Sequence, residues 1–311
     1  MDTKLNVTET LYMAIRTVVI MALCATFSCS PKRTDALEKY KDGKSQILAK
    51  GIISTDTDHE SIAFISKNHD EIIFTRSSRD FKTSSLYHSS YKGEWTEPKK
   101  ILLSGNTYEA GLAFSPDMKK AFFTNKMPIE DKVYKDQWNI WQVDALSTQD
   151  FRTESAKPLT GPINSDNMEC CLTMNSNGTT LFSSNRDGSW DIYEATYSSG
   201  VFKNIKKLDQ GINSDQYDEW PSFINDEETI ILFSSIRKDG IGGDDIYYVK
   251  NSKGGWSEPE LFNESFNSAF YEDGAIIAPD KNYFLFSSWK PSLFSKDVSN
   301  IYIKRIENEL K

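Results

Sequence analysis

One strand–turn–strand unit recurs five times along the chain, and that repetition limits the fold more than any other feature. Its clearest copy is SSNRDGSWDIY at 183–193, which continues the run TTLFSS at 179–184. Threonine, leucine and phenylalanine suit a pleated, half-buried surface, so the run reads as a strand. Gly188 follows Arg186-Asp187 and can supply the positive φ that a tight hairpin needs. Asp191-Ile192-Tyr193 then opens a second strand. The same grammar returns at LFSSIRKDGIGGDDIYYVK (232–250) and LFSSWKPSLFSKDVSNIYIK (285–304). Weaker copies lie at FFTNKMPIEDKVYKDQWNIWQV (122–143) and IFTRSSRDFKTSSLYHS (73–89).

Each copy is preceded by an acid, and an Asp or Asn stands eight positions after that acid. The pairs are Glu60 with Asn68, Glu109 with Asp117, Glu169 with Asn177, Asp218 with Asp226, and Glu272 with Asp280. A further strand fits between the members of each pair, and the Asp or Asn suits the turn that ends it. After the Ile-Tyr strand comes an outer strand marked by GEWTEPKKI (93–101), GVFKNIKKL (200–208) and GGWSEPELF (254–262). The acids recur at about fifty to sixty residues, a period that holds four strands and marks a propeller blade.

The motifs Ser115-Pro116-Asp117, Asn185-Arg186-Asp187-Gly188 and the two Asp-Ile-Tyr triplets at 191–193 and 245–247 resemble the WD40-like Pro-Asp repeats of the TolB β-propeller and related envelope proteins. The resemblance covers roughly residues 45 to 311. It implies an all-β propeller, and the count of units gives five blades; a sixth blade would need extra strands hidden in the long second unit, 109–168, whose ALSTQDFRTESAKPL reads as an ordinary outer strand. A propeller hosts many activities, so the resemblance says little about function.

The ends of the chain add to this. Residues 1–29 read as a targeting segment: the apolar run 17–28 is too short to span a bilayer comfortably. Thr26-Phe27-Ser28-Cys29 resembles a lipobox, which implies a lipidated Cys29, with an ordinary cleaved signal as the alternative. Ser30 rather than an acid follows Cys29, which points to the outer membrane with the propeller facing the periplasm. Residues 30–45 are polar and read as a tether, so the propeller domain is expected over 46–311. Residues 49–60, AKGIISTDTDHE, align with DQGINSDQYDE at 209–219, whereas the last unit stops without an outer strand. The N-terminal strand should therefore complete the last blade, closing the ring and leaving no free sheet edge.

The candidate site is a rim. Glu60, Glu109, Glu169, Asp218 and Glu272 should surround one mouth of the central channel, with His59, Tyr108, Met168, Tyr217 and Tyr271 beside them. As a ligand site this rim would take a cation, a sugar or a basic peptide. The competing reading is structural, each acid holding nearby backbone N–H groups. Occurrence in every blade favours the second, because a catalytic residue is needed once. Trp190, Trp220 and Trp289 do not repeat, which makes them better ligand candidates than the repeated Trp95 and Trp256.

Cys170 and Cys171 are neighbours in a strand, where side chains point to opposite faces; the pair reads as two small buried hydrophobes poorly placed to bridge each other. The three histidines, His59, His69 and His88, form no metal-ligand spacing, and no cofactor fingerprint occurs. A formal net charge of −9 disfavours nucleic acid. The expectation is a monomeric, lipid-anchored module without a catalytic residue, binding an envelope protein or a polymer such as polysaccharide or peptidoglycan. The alternative is a glycan-binding propeller or a glycoside hydrolase, which would need carboxyls in distinct roles.

Overall fold

The computed structural model describes residues 35–126, 137–208, 211–252, 255–294 and 297–306. Five antiparallel sheets form a five-bladed β-propeller. The first blade holds β2 (His59–Ile65), β3 (Glu71–Ser77), β4 (Ser84–Ser90) and β5 (Lys99–Lys100). The second holds β6 (Glu109–Phe114), β7 (Lys120–Asn125), β8 (Asn139–Ala145) and β9 (Phe151–Pro158). The third holds β10 (Glu169–Met174), β11 (Thr179–Ser184), β12 (Asp191–Ser198) and β13 (Val201–Lys207). In the fourth, β14 (Glu219–Ile224), β15 (Ile230–Ser235) and β16 (Asp245–Ser252) are flanked by two short outer pieces, β17 (Gly255–Trp256) and β18 (Glu260–Leu261). The fifth holds β19 (Glu272–Ile277), β20 (Tyr283–Ser288) and β21 (Asn300–Arg305), and its outer strand is β1 (Gln46–Ile47).

The ring therefore closes through the N-terminal segment, as the alignment of 49–60 with 209–219 implies. β1 pairs antiparallel with β21, and the seam runs on as Leu48 N–H donates to Ile301 O (2.8 Å) and Asn300 Nδ2 to Thr55 O (2.7 Å). In three blades a linker asparagine extends the sheet with its side chain. Asn164, Asn213 and Asn267 each accept from, and donate to, the backbone of Ile140, Ile192 and Ile246 respectively. At the seam Ser54 takes this place, its Oγ accepting from Ile301 N at 3.2 Å.

The hydrophobic cores lie between blades, one per interface. Phe182, Tyr193 and Ile140 meet between the second and third blades; Phe262, Phe284 and Ile246 meet between the fourth and fifth. The second strands are covered on both faces, with all six residues of β20 buried. Continuous apolar runs such as Tyr283-Phe284-Leu285-Phe286 follow from this, since no face needs polar side chains. The compact unit starts at Ala36, earlier than the expected boundary at residue 46. Ala36, Leu37 and Tyr40 are buried at 2%, 0% and 4% exposure in the core at the seam, so the end of the polar stretch is docked rather than a free tether. Cys29 and the targeting segment lie outside the described residues.

Candidate functional site

Each inner strand carries a glutamate that is 0–1% exposed at its first position, or at its second in β2: Glu60, Glu109, Glu169, Glu219 and Glu272. A carboxylate buried this deeply needs donors, and a hydroxyl residue four or five positions upstream supplies them. Thr55 N–H and Oγ1 donate to Glu60 (3.1 and 2.6 Å), Ser104 N–H and Oγ to Glu109 (both 2.6 Å), and Ser268 N–H and Oγ to Glu272 (2.8 and 2.7 Å). Ser165 Oγ donates to Glu169, and Ser214 N–H to Glu219 at 3.2 Å. In three blades an arginine completes the arrangement. Arg76, Arg186 and Arg237 pair with Glu60, Glu169 and Glu219 at 3.0, 3.2 and 3.0 Å, and also donate to carbonyls of the loop ahead, such as Ile53, Ile163 and Ile212. Burial pushes Glu60 and Glu219 up to about 7 despite these donors. The repeated acids thus tie each inner strand to the linker that precedes it.

The sequence reading puts Asp218 at the head of the fourth inner strand, but the strand begins at Glu219. Tyr217-Asp218-Glu219 offers two adjacent acids, and only the second takes the buried frame position. Asp218 is half-buried and accepts from Trp190 N–H at 3.0 Å. Tyr217 moves one position farther from the frame acid than the other rim residues. Trp220 pairs with Ser234 inside β14 and is half-buried.

What varies around this repeated frame builds the mouth. Four frame acids donate their N–H to the residue just ahead of the third strand in the preceding blade: Glu60 to Ser299, Glu169 to Trp138, Glu219 to Trp190 and Glu272 to Asp244. These bonds set the residues preceding the acids (His59, Met168, Asp218, Tyr271) beside Ser299, Trp138, Trp190 and Asp244. Two aromatic banks result. In one, His59 lies 4.3 Å from Phe81 and 4.5 Å from Trp289, and Trp289 lies 5.5 Å from Tyr271. In the other, Trp138 lies 6.1 Å from Tyr108 and 5.9 Å from Trp190, with Lys126 Nζ 3.9 Å above the Tyr108 ring. Phe81 and Tyr271 are 38% and 47% exposed, so ring surface is open to solvent.

Three carboxyls share this mouth. Asp244 is pushed up to about 7, first by burial and then by the negative charges of Asp273, Asp245 and Asp218. Its Oδ1 is buried with no hydrogen-bond partner among the described residues. Burial and the Glu272 charge push Asp273 up to about 6. The loop that carries Asp244 depends on Gly243: a Cβ there would stand 2.4 Å from the Tyr271 ring, so any other residue would dislodge the aromatic bank. Trp138 and Asp244 escaped the sequence reading, although both precede the recurring Asn/Asp-Ile-Tyr or Asn-Ile-Trp triplet. Variation at a fixed place in a repeat was the available signal.

Farther in, each inner strand carries a one-residue bulge. In β6, β10 and β19 the bulge puts Gly111, Cys171 and Gly274 at φ of 62°, 58° and 61°. This overturns the expectation for the cysteine pair: alternation fails at the bulge, and the two Sγ atoms lie 2.9 Å apart. The histidines are dispersed: His59 Nδ1 accepts from Ser299 N–H at 3.0 Å, whereas His69 and His88 face Asp280 and Glu71 at 3.6 and 3.7 Å. At the opposite end of the inner strands a cavity of about 1180 Å³ opens, lined from all five blades by side chains such as Phe64, Phe114, Met174, Phe223 and Ile277.

No protein-family model matches the chain, and no curated protein matches it. Solved structures do. A hypothetical protein from Leishmania major matches with a TM-score of 0.52 at 12% identity, over 89% of this chain and 94% of that one. The α-L-arabinofuranosidase of Lactobacillus brevis matches with a TM-score of 0.51 at 11% identity, over 82% and 91%. A putative TolB from Agrobacterium tumefaciens matches with a TM-score of 0.47 at 14% identity, over 80% and 91%. At these identities the likeness is one of fold. No helix among the described residues is long and apolar enough to cross a membrane.

Proposed function

We propose that the chain is a non-enzymatic binding propeller of the cell envelope, held at the outer membrane by an acylated Cys29 and engaging a protein or an envelope polymer through the mouth at the acid end. The observation that carries this reading is the division of labour there. The repeated glutamates are occupied by their own loops, whereas the positions that vary from blade to blade form two aromatic banks around Asp218, Asp244 and Asp273. Aromatic faces stack on sugar rings or hold cationic side chains, and carboxyls accept from hydroxyls or ammonium groups. The test is titration of the full chain, followed by tryptophan fluorescence, with soluble peptidoglycan fragments and with a lysine-rich peptide. Saturable binding of one of them should be lost in Trp190→Ala and Tyr271→Ala while thermal unfolding stays unchanged. Binding by both variants equal to the wild type would overturn the assignment of the mouth. Anchoring is tested separately: Cys29→Ala should leave the membrane fraction, and extraction of the wild type without detergent would sink the anchor.

A second reading, glycoside hydrolysis, draws on one observation. Asp244 and Asp273 are both pushed up, to about 7 and about 6, while sharing a mouth with Asp218. Groups held at different protonation can divide proton donation from nucleophilic or base work. Turnover of aryl glycosides that disappears in Asp244→Asn, with binding retained, would favour this reading over the first.

A further inference from the structure

The bulge in β10 stands apart from its counterparts. Gly111 and Gly274 occupy the same left-handed backbone position in the second and fifth blades, where glycine bears no Cβ penalty. The third blade places Cys171 there at φ 58°, a conformation that strains a side-chain-bearing residue. The bulge is anchored across the blade boundary. Gly111 N–H donates to Thr75 Oγ1 at 3.0 Å, and Cys171 N–H lies 3.4 Å from Thr124 Oγ1. The neighbouring blade thus holds Cys171 in this geometry, and the geometry turns its sulfur toward that of Cys170. The sulfurs stand 2.9 Å apart; Cys170 is 1% exposed and Cys171 is half-buried. The pair adjoins the mouth, because the Tyr108 hydroxyl is pushed up to about 12 by burial and then by its proximity to both thiols.

We propose that Cys170 and Cys171 form a vicinal dithiol at the channel wall that closes to a ring disulfide by exchange with a disulfide donor. Cys171 is the attacking group, since it is the one solvent reaches. Its thiolate attacks one sulfur of the donor, the donor's S–S bond breaks, and the first donor thiol leaves with the proton Cys171 gave up. Cys170 then attacks Cys171 Sγ, the mixed disulfide breaks, and the second donor thiol leaves with the Cys170 proton. Two electrons pass to the donor, and no other oxidant is needed. The ring is reversible by construction. Adjacent Cα atoms stand about 3.8 Å apart across a trans peptide, below the usual span of roughly 4.4–6.8 Å for a disulfide, and strained disulfides are the readily reduced ones. Closing and opening next to Tyr108 would shift one aromatic bank with redox state.

The inference does not rest on the binding reading above, and its test reads covalent chemistry alone. The folded full chain is incubated with oxidised glutathione, quenched with acid, unfolded, alkylated and mapped by peptide mass spectrometry, which separates this pair from Cys24 and Cys29. The peptide spanning 170–171 should lose two hydrogens, carry neither alkyl group nor glutathione, and regain both thiols on native treatment with dithiothreitol. In Cys170→Ser the glutathione adduct should persist on Cys171. Cys171→Gly, which restores the residue of the second and fifth blades and keeps the fold, should leave Cys170 unmodified. Two alkylatable thiols in the treated wild type, or a wild-type glutathione adduct as persistent as that of Cys170→Ser, would overturn ring closure. Modification of Cys170 in Cys171→Gly would overturn the assignment of the attacking thiol.

Discussion

The two ends of the inner strands are built on different principles. At the acid end every blade buries a glutamate and bonds it to a hydroxyl or backbone N–H upstream, so hydrogen bonds lock loop to strand five times over. At the other end the strands surround a cavity of about 1180 Å³, and the bonds that cross between blades there, such as Asn175 Nδ2 to Asn225 O and Thr179 Oγ1 to Glu228, hold no fully buried carboxylate. Directional bonds to buried charge fix positions tightly and fail badly when one partner is lost; packing around an open cavity gives way gradually. The acid end is therefore the one suited to presenting variable side chains at set places.

The strongest way to break this contrast is at Glu219. Glu219→Ala leaves the Arg237 guanidinium in a largely buried site without its carboxylate and should lower stability by about 3–5 kcal/mol in chemical unfolding. Glu219→Gln, which keeps the shape and part of the hydrogen bonding, should lose about 1–3 kcal/mol. Asp218→Asn, one residue earlier, should stay within about 0.5 kcal/mol of the wild type, because this half-buried side chain is outside the frame. Equal effects at the two positions would erase the distinction between frame and mouth.

At the cavity end the expected effects are smaller. Phe223 lines the cavity and is only partly buried against the core between the fourth and fifth blades. Phe223→Ala should lose about 1–2 kcal/mol, below the roughly 3–5 kcal/mol of a fully packed phenylalanine, since no sealed void is created. Phe284→Ala, at 0% exposure in the same core, serves as the reference and should reach the upper range. A loss at Phe223 as large as at Phe284 would mean that the cavity end is packed as tightly as the blade interfaces.

The fold was legible because one pattern is written five times: the Phe-Ser-Ser strand, the Gly or Asp turn and the Asp-Ile-Tyr strand each repeat, and segment 49–60 repeats a linker without its blade. The site was legible only in part. His59, Tyr108 and Tyr271 were found because they precede a recurring acid. Asp218 was misplaced because Asp218-Glu219 presents two carboxylates to a pattern that needs one. Trp138 and Asp244 reach the mouth through bonds that join one blade to the next, and such pairings cannot be read from distance along the chain. The cysteine pair was misjudged because strict alternation was assumed where a bulge adds one residue.

The effect at Asp244 is the one that bears on the ligand. Asp244 is held near 7 in the folded protein, against an ordinary carboxyl value of about 3.9 in the unfolded chain. The native state therefore binds this proton more tightly. The stability so contributed is fully present below about pH 4 and is lost as pH rises through 7. Asp244→Asn removes the charge while keeping the shape, and the unpartnered Oδ1 has no hydrogen bond to lose. The variant should match the wild type near pH 4 and exceed it near pH 8, read as a Tm difference that opens between those values. A variant less stable than the wild type at pH 8 would show an ionised Asp244 held by partners. The same titration discriminates between ligands. A cationic segment needs the carboxylate, so its affinity should rise as pH passes 7 and lose that rise in Asp244→Asn. A neutral sugar can bond to either protonation state, so its affinity should change little across the same interval.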